Sequence, residues 1–134
     1  SSFFATAVFF LITGKNKIIC SNAGHNAPFC FRPSTGEFFE FETCGPPLGM
    51  IDDCDYKLKR FHAIPGDKLF IYSDGVTEAP NKDEELFSEE RLYELIRKNI
   101  NLPNEELLNF LKTELENFSP EFRDDVSMII LEIP

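Results

Sequence analysis

An α+β domain of layered antiparallel sheets is the fold class the sequence predicts. Three observations point to it. Short β-rich runs, punctuated by Gly and Pro, fill the first two thirds of the chain. Two segments with helical spacing follow, and one apolar run closes the chain. Strands, then helices, then a strand make an α+β arrangement rather than a βαβ repeat. The 134 residues suit one domain, and 43% hydrophobic content with 15 Phe and no Trp supplies a Phe-rich core.

Each element has a local cause. Residues 3–13 are rich in β-branched and aromatic side chains and predict a first strand, and Gly14-Lys15-Asn16 supplies a turn. Residues 17–21 return as the second strand of that hairpin. Residues 28–32 predict a third strand, Pro33-Ser34-Thr35-Gly36 a turn, and residues 37–42 a fourth strand with Phe39 and Phe41 on one face. Cys44-Gly45-Pro46-Pro47-Leu48-Gly49-Met50 is too rich in Gly and Pro for regular structure. Residues 56–64, bearing Lys57, Lys59 and Arg60, predict a fifth strand. Pro65-Gly66-Asp67 then turns into a short buried strand over residues 68–73. Asn81-Lys82-Asp83-Glu84-Glu85 reads as a solvated loop.

Ser88 predicts a helix N-cap, and Glu89 and Glu90 suit the dipole of the first turn. Leu92, Leu95, Ile96 and Ile100 keep helical spacing. A second helix starts near Pro103, a residue suited to a first helical position, with Leu107, Leu111, Leu115 and Phe118 as its buried stripe. Ser119-Pro120 stops it, and residues 126–133 form the closing strand.

The net charge of -10, from 13 basic and 23 acidic residues, argues against nucleic acid or an anionic membrane as the main partner. No apolar run is long enough for a transmembrane helix, and the apolar start lacks the basic leader of a signal peptide. The chain opens without Met inside a strand pattern, as a piece of something longer would. Cys20, Cys30, Cys44 and Cys54 form no CxxC pair and read as reduced thiols of a cytoplasmic protein.

Two acidic motifs carry the chemistry. Ser73-Asp74-Gly75-Val76-Thr77-Glu78-Ala79 follows the apolar run Leu69-Phe70-Ile71-Tyr72. Arg123-Asp124-Asp125-Val126-Ser127 precedes Met128-Ile129-Ile130-Leu131. Each puts a carboxylate at the end of a strand expected to be buried, where it needs a partner or a metal. Two such ends in one cleft would suit a hard divalent cation, which prefers oxygen ligands. Taken singly, each motif has a plain reading: an Asp-Gly turn, or acids on a surface. Ala23-Gly24-His25-Asn26-Ala27-Pro28 is a third unusual patch, in which His25 is either an acid/base group or a hydrogen-bonding brace. No G-x-S-x-G elbow, Walker loop or G-x-G-x-x-G is present.

These motifs, with Gly45-Pro46-Pro47-Leu48-Gly49 and Pro65-Gly66-Asp67, stand in an order that resembles the SpoIIE/RsbU-like branch of the PPM (PP2C-type) metal-dependent serine/threonine phosphatases. Phe4-Ala5-Thr6-Ala7 is similar to the family strand before the Ala-Gly-His motif. The resemblance covers nearly the whole chain. It implies a PP2C-like β-sandwich of antiparallel sheets flanked by helices, and two Mn²⁺ or Mg²⁺ ions in a cleft. It implies hydrolysis of phosphoserine or phosphothreonine by a metal-activated water, with no phosphoenzyme. Asp74 and Asp124 match the metal-binding, catalytic aspartates. Gly75 and Asp125 complete the implied metal-site residues, Gly75 by letting a loop approach and Asp125 by bracing. His25 and Asn26 match a supporting motif. The implied partner is a phosphorylated bacterial signalling protein, such as an anti-sigma-factor antagonist.

The family also uses an upstream Gly-Asp-Val-type segment that supplies the metal-bridging aspartate, a further strand and a helix pair. Residues 1–134 contain no such motif, so the chain is expected to be the C-terminal portion of a phosphatase domain. Its sandwich would then be incomplete, its metal binding weak and its own activity little or none. Exposed strand edges and apolar surface would favour association, for instance as a dimer. The alternative is a non-catalytic PP2C-like binding or scaffold module.

Overall fold

The structure, a computed structural model, describes residues 3–121 and 124–134. Arg123 of the second acidic motif and the opening Ser1-Ser2 lie outside the described residues. Strands β1 (Ala7–Ile12) and β2 (Lys17–Ala23) form the expected antiparallel hairpin, with Asn16 at φ 57° in its turn. β1 begins at Ala7 rather than Phe3. Ala5 instead exchanges backbone hydrogen bonds of 3.0 and 2.7 Å with Leu48, so the Gly/Pro segment claims the residues before the strand. β3 (Phe29–Arg32) and β4 (Glu37–Glu40) make a second hairpin. β5 (Lys59–His62) is shorter than expected, because only four of its residues pair with β2.

β6 (Lys68–Tyr72) runs between β3 and the closing strand β7 (Met128–Glu132). Asp74–Thr77, between β6 and the solvated loop at Asn81, forms a one-turn helix α1 that the sequence pattern did not predict. Helices α2 (Ser88–Asn99) and α3 (Asn104–Phe118) follow. Ser88 is the first residue of α2 rather than its N-cap: Phe87 takes that position without a side-chain cap, and the Ser88 hydroxyl, on a residue with φ 74°, accepts the Arg91 N–H at a long 3.5 Å. Pro103 stands one residue earlier than expected, as the N-cap of α3, where its carbonyl accepts the Leu107 N–H at 2.8 Å.

The strands form two sheets, ordered β1-β2-β5 and β4-β3-β6-β7. Alternation along β6 explains the layering. Leu69 and Ile71 face the first sheet, where they join Ile18, Cys20, Cys30 and Phe41. Phe70 and Tyr72 point the other way, onto Leu92 and Ile96 of α2 and Leu107, Leu111 and Leu115 of α3. Burial of side chains of this size stabilises the fold by about 1.5–3 kcal/mol each. Phe39 and Phe41 share a face as expected. Both helices cover the second sheet.

The opposite surfaces are less covered. On β1, Phe9 and Leu11 are 61% and 48% exposed, and on β7, Ile129 and Leu131 are 53% and 41% exposed. β1 and β7 are also edge strands. All four cysteines are free; burial is the main cause that pushes the Cys20 thiol up to about 11 and that of Cys30 up to about 12. Among the described residues no helix is long and apolar enough to cross a membrane.

Candidate functional site

The two acidic motifs meet, although they lie far apart in sequence. The Ser73 N–H donates to the Ser127 carbonyl at 3.0 Å. The Ser127 N–H donates back to Ser73 Oγ at 2.9 Å, and that hydroxyl donates to the Asp125 carbonyl at 3.1 Å. Gly75 makes the approach sterically feasible. A Cβ built on it would lie 2.1 Å from the Asp125 carbonyl oxygen, closer than any side chain tolerates. Asp74, Gly75, Asp124 and Asp125 therefore stand at one end of the second sheet.

Burial of the carboxylates, expected from the sequence, is corrected by the structure. Asp74, Asp124 and Asp125 are all exposed. Asp74 opens α1 instead of ending β6, and Asp124 sits in an irregular segment ahead of β7. Asp124 Oδ1 accepts the Asp125 N–H at 2.8 Å. None of the three carboxylates makes an ion pair among the described residues. A groove of about 720 Å³ opens beside them, with Val76, Phe87, Leu92, Leu111, Leu115 and Met128 in its lining.

His25 and Asn26 sit on the loop after β2, where a residue that sequence reasoning missed does the bracing. Asn22 is buried; its Oδ1 accepts the His25 N–H at 2.9 Å, and its Nδ2 donates to the His25 and Phe41 carbonyls, both at 3.1 Å. His25 Nδ1 lies 2.7 Å from the Asn26 carbonyl, which can only accept, so Nδ1 carries the proton. Asn26 Nδ2 is buried without a partner of good geometry among the described residues, although its side chain lies against the Tyr72 hydroxyl. Burial, then the nearby Glu89 charge, pushes that hydroxyl up to about 12.

A second acidic group lies where β4 meets α2. Tyr93 donates to Glu40 Oε1 at 2.7 Å, and Glu40 and Glu89 are themselves in hydrogen-bond contact. Glu89 and then Tyr93, by hydrogen bonding, hold Glu40 below the usual carboxylate value, while the same contact followed by burial raises Glu89. Of the two, Glu89 thus keeps its proton to higher pH than Glu40. Nothing in the sequence signalled this contact, which joins residues far apart in the chain.

The donor set of the main site can be tested against the divalent ions implied by the resemblance. Exposed carboxylates and a backbone carbonyl, free of cationic partners, are the donors a hard cation takes. Their chemistry fits Mn²⁺ or Mg²⁺. Their number does not complete a shell of about six oxygens. Among the described residues no three of His, Cys, Asp and Glu converge closely enough to hold an ion. These residues suit part of a ligand set, to be completed by donors from elsewhere.

Comparisons with known proteins identify the family of the chain. The family model described as Stage II sporulation protein E (SpoIIE) matches residues 1–134. The chain is 33% identical over 130 residues to Protein IcfG of Synechocystis sp., covering 94% of the chain and 20% of that protein. It is 29% identical over 118 residues to phosphoserine phosphatase RsbU of Bacillus subtilis, covering 87% of the chain and 35% of RsbU. The solved SiaA-PP2C domain of Pseudomonas aeruginosa superposes with a TM-score of 0.75 at 18% identity, covering 90% of this chain and 48% of that one. At that identity the superposition speaks for the fold alone. The chain thus spans about a fifth of the length of IcfG and about a third of that of RsbU. It belongs to the SpoIIE family, in the SpoIIE/RsbU-like branch of the PP2C-type phosphatases.

Proposed function

We propose, from its membership of the SpoIIE family, that this chain is the C-terminal portion of a PP2C-like domain and that the whole protein is a metal-dependent protein serine/threonine phosphatase. Its substrate would be a phosphoserine or phosphothreonine on a bacterial signalling protein, such as an anti-sigma-factor antagonist, in the cytoplasm. The observation that carries the reading is the meeting of Ser73-Asp74-Gly75 with Asp125-Val126-Ser127, which leaves carboxylates exposed and without cations.

In this reading Asp74 and Asp124 hold the ions by their carboxylates. Gly75 admits the Asp125 backbone, and Asp125 braces the loop. Mn²⁺ or Mg²⁺, bound there, would supply Lewis-acid charge for displacement at phosphorus. His25 and Asn26 support the site through the Asn22 brace rather than by proton transfer. The adjoining groove is placed to receive apolar side chains flanking the phosphoresidue. The isolated chain, with a partial ligand set, would turn over little substrate.

The test is Mn²⁺-dependent hydrolysis of a generic aryl phosphate by the full-length protein, with Asp74→Ala alongside. Turnover that needs Mn²⁺ and is lost in the variant supports the reading. A folded full-length protein with no Mn²⁺-dependent turnover counts against it and favours a binding module.

A further inference from the structure

We infer that the Ser73 hydroxyl is a positioning residue that locks the two acidic loops into one cation-binding unit. The inference rests on the phosphatase reading above and concerns how that site is assembled. Ser73 precedes α1 as its N-cap. A serine there ordinarily turns its hydroxyl onto the N–H groups of its own helix. Here it makes no such cap bond. Its oxygen instead accepts the Ser127 N–H at 2.9 Å and donates to the Asp125 carbonyl at 3.1 Å. The Val76 N–H is left to the Ser73 backbone carbonyl at 3.1 Å.

The hydroxyl thus forgoes a local role for a cross-loop one. Ser73 is adjacent to Asp74, and Asp125 is adjacent to Asp124, so this one group fixes the separation of the two carboxylate-bearing segments. It does so in a region with little else to hold it: Asp124 to Ser127 are all exposed and belong to no strand or helix. The backbone bond from the Ser73 N–H to the Ser127 carbonyl, at 3.0 Å, aligns the strands' ends but does not reach Asp125. Groups that orient metal ligands from behind typically change metal affinity about 10- to 100-fold when removed.

The test compares Ser73→Thr with Ser73→Val in the full-length protein. The two have the same shape and differ in the hydroxyl. Ser73 has φ -86° and ψ 158°, an extended conformation that β-branched residues accept. The readouts are Mn²⁺ affinity by electron paramagnetic resonance titration and the cooperative thermal melt without metal. The expected result is wild-type affinity in Ser73→Thr, affinity about 10-fold or more weaker in Ser73→Val, and similar metal-free melts. Equal Mn²⁺ affinity in both variants overturns the inference while leaving the phosphatase reading intact. A Ser73→Val protein without a cooperative melt assigns the hydroxyl to folding and also overturns it. Wild-type protein that is folded yet binds no Mn²⁺ removes the phosphatase reading, and the inference falls with it.

Discussion

At the N-terminal end of β6, Asp67 is 1% exposed and completely engaged. Its carboxylate accepts Arg32 Nε at 3.0 Å, Arg32 Nη2 at 2.8 Å and the Ile64 N–H at 2.9 Å. The hydrogen bond to Asp67 in turn pushes the Arg32 guanidinium up. At the C-terminal end of the same strand, Asp74 is exposed and pairs with no cation among the described residues. Both acids flank one strand, in motifs that look alike on paper. Burial distinguishes them: a buried carboxylate must be satisfied by the fold, whereas an exposed one stays available to a ligand. One end of β6 closes the structure, and the other opens onto solvent beside a second acidic loop.

The largest stability effect should come from the closed end. Asp67→Ala leaves Arg32, only 18% exposed, facing a buried gap, and is expected to cost about 3 kcal/mol in urea unfolding. A loss well under 1 kcal/mol would erase the contrast between the two ends. Gly75→Ala should rank next, because its Cβ would collide with the Asp125 carbonyl. Displacement of the acidic loop is expected to cost about 1–3 kcal/mol, with faster amide exchange confined to residues 124–127. Unchanged exchange there would mean that the two loops do not depend on each other.

The smallest effect concerns the half-buried acids Glu40 and Glu89, which lie between these extremes. Glu89 is raised above its ordinary 4.5, so its contribution is complete below that value and is lost as pH rises through its folded pKa. Glu40 is lowered, so its contribution is present above its ordinary 4.5 and is lost as pH falls through its folded pKa. The contact between the two carboxyls is therefore strongest in mildly acidic solution. Solvent screening keeps the effect to about 0.5 kcal/mol. Glu89→Gln, which keeps a hydrogen-bond donor without the charge, should flatten the decline on the alkaline side of the stability profile. An identical profile in wild type and variant would show that the two carboxyls do not interact.

Local pattern carried the element order further than it carried the element ends. The 3.6-residue spacing of Leu107, Leu111 and Leu115 marks α3 correctly, because its stripe is set by its own period. The first strand is shorter than its β-rich run, because its limit depends on where β2 stops pairing and on Leu48 taking Ala5. α1 leaves no signal in the pattern, since four residues are too few for a helical period to show. At the site, the motifs around Asp74 and Asp124 were visible as residue types. Their exposure was not, nor were the Ser73–Ser127 contact and the Asn22 brace. Those depend on pairings across the whole fold, which no local window contains. The Arg32–Asp67 pair was hidden for the same reason, joining residues 35 positions apart.

The measurement that tests the contrast most directly is Mn²⁺-induced stabilisation of the full-length protein, compared between wild type and Asp74→Asn. Asp74→Asn is expected to change metal-free stability by less than about 0.5 kcal/mol. The variant is also expected to lose the stabilisation that wild type gains, about 2.7 kcal/mol at a hundredfold excess of Mn²⁺ over its dissociation constant. Equal stabilisation of both proteins by Mn²⁺, or a metal-free loss in Asp74→Asn as large as that of Asp67→Ala, would contradict a metal-binding role for the open end of β6.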